Sequence, residues 1–351
     1  MSQPTTCYLA LEDGTLFHGA SVGADGAAFG EAVFTTAMSG YQEVVTDPSF
    51  AEQIVCFTAP MVGNYGVAPV RSESERPHAR AVVMRQAGGA EWPRWLARRG
   101  VVALEEVDTR SLVLHLRELG AMRAAAVAGE ASADAVLAQV RAQPAMEGRG
   151  LVRAVSTDEP YSLGRGTPRI GILDYGLKRS IVERLLAAGA AVRVYPHSTP
   201  AERVLADTPD GVVLSNGPGD PAALADETAV VARLVGRVPL LGICLGHQLL
   251  ARAAGYRTFK LRFGHRGTNH PVLELATDRV LVTAQNHGFA VEGTGPEVTH
   301  VSLYDGTVEG LALPGVRARS VQFHPEAGPG PHDARPLLES FVEEVRLAAA
   351  A

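Results

Sequence analysis

Three side chains of this sequence could together make and break an acyl bond: the thiol of Cys244, the imidazole of His324 and the carboxylate of Glu326. Cys244 lies in Gly242-Ile-Cys-Leu-Gly246, after the apolar run VPLLGI and at the start of LGHQLLARAAG. The first run predicts a buried strand and the second an amphipathic helix, so the cysteine falls on the turn between them. A nucleophile on a strand–turn–helix elbow is held out where a substrate can meet it. The flanking glycines fit because such a turn leaves no space for a neighbouring β-carbon. The helix start contributes unpaired N–H groups and about half a positive charge. A thiolate is favoured there, so the thiol is expected to ionise below its ordinary pKa of roughly 8.5. The N–H of Leu245 is placed to receive an oxyanion, a contact typically worth about 3–4 kcal/mol in a transition state.

A thiol nucleophile needs a group to take and return a proton. His324 is the best candidate, in Ser320-Val-Gln-Phe-His-Pro-Glu326. Residues two apart on an extended segment face one side, so His324 and Glu326 can share a site. Pro325 stiffens the backbone between them. Glu326 would fix the imidazole tautomer and stabilise its protonated form. His247 and His287 compete for the role of base. His247 follows the cysteine on one helix face, but no carboxylate stands nearby, and it reads as a residue that fixes a neighbouring loop. His265 and His270 lie in a glycine-rich polar stretch read as a loop, with structural or interface roles and no metal. Cys7 and Cys56 sit in no such turn and read as buried structural thiols.

The elements that must position these residues follow from periodicity. In the second half, apolar runs at Arg169–Asp174, Ala191–Tyr195, Gly211–Ser215 and Pro239–Ile243 alternate with helical patterns at Lys178–Gly189, Ala201–Ala206, Thr228–Val235 and Leu245–Ala254. That alternation predicts an α/β domain with a doubly wound, mostly parallel sheet. Ligands of such sheets bind beyond the carboxyl ends of the strands. The first half carries strand-like Ala32–Thr35 and Gln53–Phe57, then helical patterns at Glu91–Arg98, Ser111–Leu119 and Ser132–Ala142. It reads as a separate mixed α and β domain whose topology the pattern leaves open. The polar, proline-bounded STDEPYSLGRGTP suggests a linker at residues 156–168, between domains at 1–155 and 169–351.

Composition bounds the class. The 351 residues allow two domains. With 46% hydrophobic and 20% charged residues the chain can bury cores and is not disordered. A net charge of −6 without a basic run excludes the electrostatic footprint of a nucleic-acid binder. The start of the chain lacks a charged lead and apolar core, so no signal peptide is expected. The most apolar stretch, Val238 to Gly255, is broken by His247, Gln248 and Arg252, which argues against a membrane span. Three scattered cysteines suggest neither a disulfide framework nor a zinc motif. A cytoplasmic protein with reduced thiols is the expectation.

GICLGHQ followed about 80 residues later by HPE resembles the catalytic signature of the class I, triad-type glutamine amidotransferases. Leu214-Ser-Asn-Gly-Pro-Gly-Asp-Pro221 resembles that family's oxyanion and substrate turn. Phe263-Gly-His-Arg-Gly-Thr-Asn-His-Pro271 and Gln285-Asn-His-Gly-Phe-Ala-Val291 resemble the branch formed by the small subunits of carbamoyl-phosphate synthetases. So do LALEDGTLFHG, Ser39-Gly-Tyr-Gln-Glu-Val-Val-Thr-Asp-Pro-Ser49, Gly63-Asn-Tyr-Gly66, Val107-Asp-Thr-Arg110 and Gly120-Ala-Met-Arg123 in the first half. Ser180 and Gly328 depart from residues common in that family, and neither belongs to the triad.

The resemblance implies that Cys244, His324 and Glu326 hydrolyse glutamine through a thioester. It implies a glutamine pocket lined by Ser49, Gly217, Gly219, Leu245, Gln248, Asn286, Gly288 and Phe289. It implies a large-subunit partner, in a heterodimer or a higher assembly, that receives ammonia and uses ATP, a divalent metal and bicarbonate to make carbamoyl phosphate for pyrimidine and arginine synthesis. No cofactor is expected in this chain, which has no phosphate-cradling G-x-x-x-x-G-K-[ST] loop. Two alternatives are a glutaminase serving another synthase and a non-catalytic regulatory subunit.

Overall fold

The computed structural model describes residues 7–350. Its contacts separate two compact units: residues up to Met146 together with Arg262–Gly267, and Glu147–Leu261 together with the chain from Thr268 onward.

The first unit is built on a closed barrel. Its strands run in the order Cys7–Leu11, Leu16–Ser21, Val102–Glu105, Ala81–Val83, Gln53–Phe57, Gly26–Thr35, Met122–Ala128, which returns to Cys7–Leu11. Alternate residues divide between two faces, as a period of two requires. Leu9, Phe34, Ile54, Cys56, Leu104 and Ala126 share one apolar cluster with Leu112 and Leu116 of the helix Thr109–Leu119. Val33, Val55, Phe57 and Val82 join a second cluster with Trp92, Trp95 and Leu96 of the helix Glu91–Arg98. The distant segment Arg262–Gly267 is tied in by Ala121 N–H donating to Arg262 O at 2.8 Å, Thr36 N–H donating to Arg266 O at 3.0 Å, and Phe263 stacked on Phe34.

The second unit contains a ten-stranded sheet. Its centre is parallel, in the order Ala191–Pro196, Arg169–Asp174, Gly211–Leu214, Leu240–Ile243, Ala318–Val321. Helices cover both faces, the doubly wound plan. Ile170, Ile172, Val213, Leu241 and Ile243 pack with the helices Arg179–Ala187 and Pro336–Ala350. Leu173, Leu214 and Leu240 pack with Ala225–Leu234 and Leu245–Ala253. Antiparallel strands extend the sheet on both sides. Within the stretch read as a linker, Tyr161–Leu163 pairs antiparallel with Ala191–Pro196. Beyond Ala318–Val321 come Val308–Leu313 and Val298–Ser302, then the long strands Arg257–Glu274 and Arg279–Glu292.

The placement of His265 and His270 corrects the sequence reading, which put them in a loop. Both are buried in the strand Arg257–Glu274. That strand was hidden because its buried positions include His265, Arg266 and His270, so no apolar alternation marks it. Among the described residues, no helix is long and apolar enough to cross a membrane.

Candidate active site

The strands Leu240–Ile243 and Ala318–Val321 are parallel neighbours, with Ile243 opposite Val321. Their carboxyl ends therefore emerge side by side, and the chain leaves one end at Cys244 and reaches His324 from the other. A bond from Cys244 N–H to Val321 O at 2.9 Å locks the two ends together. This register is how residues 80 apart in sequence come to lie at one edge of the sheet.

Cys244 adopts φ 53° and ψ −105° immediately before the helix Leu245–Ala253. A non-glycine residue at positive φ is uncommon and strained, and its surroundings must hold it there. The glycines on either side allow this. A β-carbon on Gly242 would lie 2.6 Å from Gly246 O, and one on Gly246 would lie 2.1 Å from Leu214 O. Gly246 N–H also donates to Ser215 O at 3.0 Å, which fastens the elbow to the end of the strand Gly211–Leu214. The Cys244 side chain lies within the protein and not on an open face, 2% exposed. Its Sγ faces Asn286 O at 3.6 Å.

His324 and Glu326 are also buried. His324 Nδ1 and Glu326 Oε1 are 2.7 Å apart, a short bond that places the remaining ring nitrogen, Nε2, free for the thiol. Nε2 makes no hydrogen bond of regular geometry among the described residues. Burial by itself would push the imidazole toward its neutral form. The Glu326 charge, with the neighbouring Cys244 thiol and the bond to Glu326, outweighs burial, so His324 is raised above its ordinary pKa. Burial would likewise raise Glu326, but Lys178 and His324 together hold it well below the usual carboxylate range. The site thus favours an imidazolium beside an ionised carboxylate.

Lys178 escaped the sequence reading. Its Nζ donates to Glu326 Oε1 at 2.7 Å and to Gly328 O at 2.6 Å, and its side chain is only 4% exposed. Glu326 Oε1 therefore serves two cations, one of them 148 residues away in sequence. The available signal was position: Lys178 follows the carboxyl end of the strand Arg169–Asp174, the edge at which such sheets bind ligands.

The pocket residues expected from sequence fall into groups. Asn286 stands at the thiol. Gln248 Nε2 donates to Phe289 O at 2.8 Å and to Gln322 Oε1 at 3.0 Å, so the helix Leu245–Ala253 and the strand Arg279–Glu292 are joined there. Gly288 lies between Asn286 and Phe289 on that strand. Gly217 abuts the elbow, since a β-carbon on it would lie 2.8 Å from Leu245 Cδ2 and 2.1 Å from Tyr175 O. Gly219, at φ +95°, follows on the same loop. Ser49 belongs to the first unit. It is buried in the short turn Pro48–Phe50, where its N–H donates to Asp47 Oδ1 at 2.9 Å.

The competing histidines are bonded elsewhere. His247 Nδ1 lies 2.8 Å from Ser320 Oγ, and burial, with His300 nearby, pushes its pKa down to about 3. It braces the strand that delivers His324 and stays neutral. His287 Nδ1 donates to Phe289 O at 2.7 Å.

Comparison with known proteins agrees with this geometry. Residues 171–344 match the family model "Glutamine amidotransferase class-I", and residues 9–126 match "Carbamoyl-phosphate synthase small chain, CPSase domain". Three curated relatives are each named carbamoyl phosphate synthase small chain. The one from Thioalkalivibrio sulfidiphilus is 47% identical, over 97% of this chain and 97% of the relative. The one from Akkermansia muciniphila is 46% identical, over 95% of each. The one from Escherichia coli is 44% identical, over 96% of this chain and 97% of the relative. Identity at this level along nearly the whole length shows that the chain belongs to the carbamoyl phosphate synthase small chain family.

Proposed function

We propose that this chain is the glutaminase subunit of a carbamoyl phosphate synthase, with Cys244, His324 and Glu326 as its catalytic residues. The Cys244 thiolate attacks the side-chain amide carbon of glutamine. The tetrahedral oxyanion is received by the Leu245 N–H and the amides of the Gly217–Gly219 loop. His324 gives its proton to the amide nitrogen, which leaves as ammonia, and a thioester to Cys244 remains. The same imidazole then takes a proton from water. The resulting hydroxide adds to the thioester carbon, and collapse releases glutamate and the thiolate. Ser49, Gln248, Asn286, Gly288 and Phe289 are assigned to the glutamine pocket with Gly217, Gly219 and Leu245.

The name small chain implies a large partner. We assign to that partner the ATP, divalent-metal and bicarbonate chemistry, and to the pair a heteromeric complex in the cytoplasm. One observation carries the reading: a positive-φ cysteine at the mouth of a helix, at the same sheet edge as a histidine already bonded to a buried carboxylate.

The test is Cys244→Ser in the complex with the large chain. Glutamine-dependent synthesis should drop by roughly three orders of magnitude or more, while synthesis from free ammonium persists. Loss of both activities would make the cysteine structural.

A further inference from the structure

We infer that Asp220 is a positioning residue for the glutamine-facing loop, and that it acts by strapping residues 148–150 against that loop. The inference rests on reading Gly217–Gly219 as the loop whose amides meet glutamine. Asp220 follows the loop directly and is buried. Its Oδ1 accepts from Ala222 N–H at 2.8 Å, the ordinary closure of a tight turn. That turn leaves Oδ2 unexplained. Oδ2 accepts from Gly148 N–H at 2.8 Å, and the N–H of Asp220 donates back to Arg149 O at 2.9 Å. Gly150 and Gly219 then pair as an antiparallel bridge. The chain therefore becomes bonded to the substrate loop at Gly148, at the start of the second unit's first segment.

The strap continues past the bridge. Val152 is buried in the same apolar cluster as Leu224 and Leu245. Thr157 N–H donates to Asp174 Oδ2 at 2.8 Å, and Asp174 Oδ1 accepts from Gly176 and Leu177 N–H at 2.9 and 2.7 Å. The fit is close: a β-carbon on Gly219 would lie 2.5 Å from Arg149 O and 3.1 Å from Leu151 N. The loop is thus pressed between the strap at Gly219 and the Tyr175 backbone at Gly217.

Such support is needed because Asn216-Gly-Pro-Gly-Asp220 has little side-chain bulk of its own. Its glycines leave the backbone free to choose among conformations, whereas amide donors aid a transition state only when already fixed in place. A carboxylate has two acceptor oxygens on one short stem, enough to close the turn and hold the strap together.

The experiment uses Asp220→Ser and Asp220→Asn in the complex with the large chain. Serine can still accept from Ala222 N–H but is too short to hold Gly148 N–H. Asparagine keeps one carbonyl acceptor of the two. Glutamine-dependent kcat/KM should fall about ten- to a hundredfold for the serine variant, the scale of a small misplacement of catalytic groups, and less for asparagine. The alkylation rate of Cys244 with iodoacetamide, which needs no oxyanion donor, should stay within about twofold of the unsubstituted complex, as should ammonium-dependent synthesis. A serine variant with unchanged kcat/KM, or alkylation that falls in parallel with kcat/KM, would overturn the strap. The site reading fails separately, through full glutamine-dependent activity in Cys244→Ser.

Discussion

Cys56 of the barrel and Cys244 of the parallel sheet are equally buried, each 2% exposed. Both are tied to strands that pair in parallel with a neighbour on either side. They differ in where on the strand each sits. Cys56 lies inside Gln53–Phe57, among Leu9, Phe34 and Leu104, and desolvation alone pushes its thiol up to about 12. Cys244 lies one residue past a strand end, at positive φ, on a helix start and within the influence of His324. Burial does not decide whether a thiol is inert. The charges and dipoles buried with it do, and a parallel sheet concentrates those at its carboxyl edge.

The sharpest way to break that contrast is to label the thiols. An electrophilic glutamine analogue should modify Cys244 faster than Cys56 or Cys7 by about three orders of magnitude or more, since only a thiolate attacks. Peptide mass spectrometry after timed quenching measures it. Comparable rates at the barrel cysteines would mean that the elbow confers no special reactivity.

A smaller effect is expected at Lys178, whose charge separates the two environments. Lys178→Met leaves the His324–Glu326 bond without its second cation. Turnover should fall about tenfold, in line with loosening a charge-assisted bond by roughly 1–2 kcal/mol. The pH profile gives the sign. Lys178 lowers the pKa of His324, so removing it should move the high-pH limb of the glutaminase profile upward. A limb that moves downward, or full turnover in the variant, would show that the lysine is structural only.

The two regions also differ in how much of them was legible. The central sheet and its helices declared themselves, because each buried strand is a short apolar run such as Ile170–Leu173 or Leu240–Ile243, followed by a helical period. The elbow and the His-Pro-Glu segment were legible for the same reason: each stands at the end of such a run. The barrel was not, because closure depends on non-local register. The half-exposed strand Leu16–Ser21, for instance, pairs with Val102–Glu105 far along the chain. Lys178 was missed on similar grounds, since nothing near it in sequence names Glu326 as its partner. The stretch of the strand Arg257–Glu274 around His265 and His270 was misread because its buried residues include His265, Arg266 and His270, and such polar positions carry meaning only once their partners are known.

The smallest expected effect lies on the inert side, and it tests whether Cys56 is there only to fill space. Its sulfur has a weak contact, to Phe57 O at 4.0 Å, within the cluster formed by Ile54, Leu104 and Ala126. Cys56→Ala removes the sulfur and leaves a small void, costing about 1 kcal/mol. Cys56→Ser nearly keeps the shape but buries a hydroxyl in that cluster, costing about 1–3 kcal/mol. Serine should therefore lower the urea midpoint more than alanine, and neither should change glutamine turnover in the complex. The order matters more than the size. If serine proves the milder change, the barrel interior holds a polar partner for residue 56, and the distinction drawn between the two cysteines narrows from one of environment to one of backbone geometry.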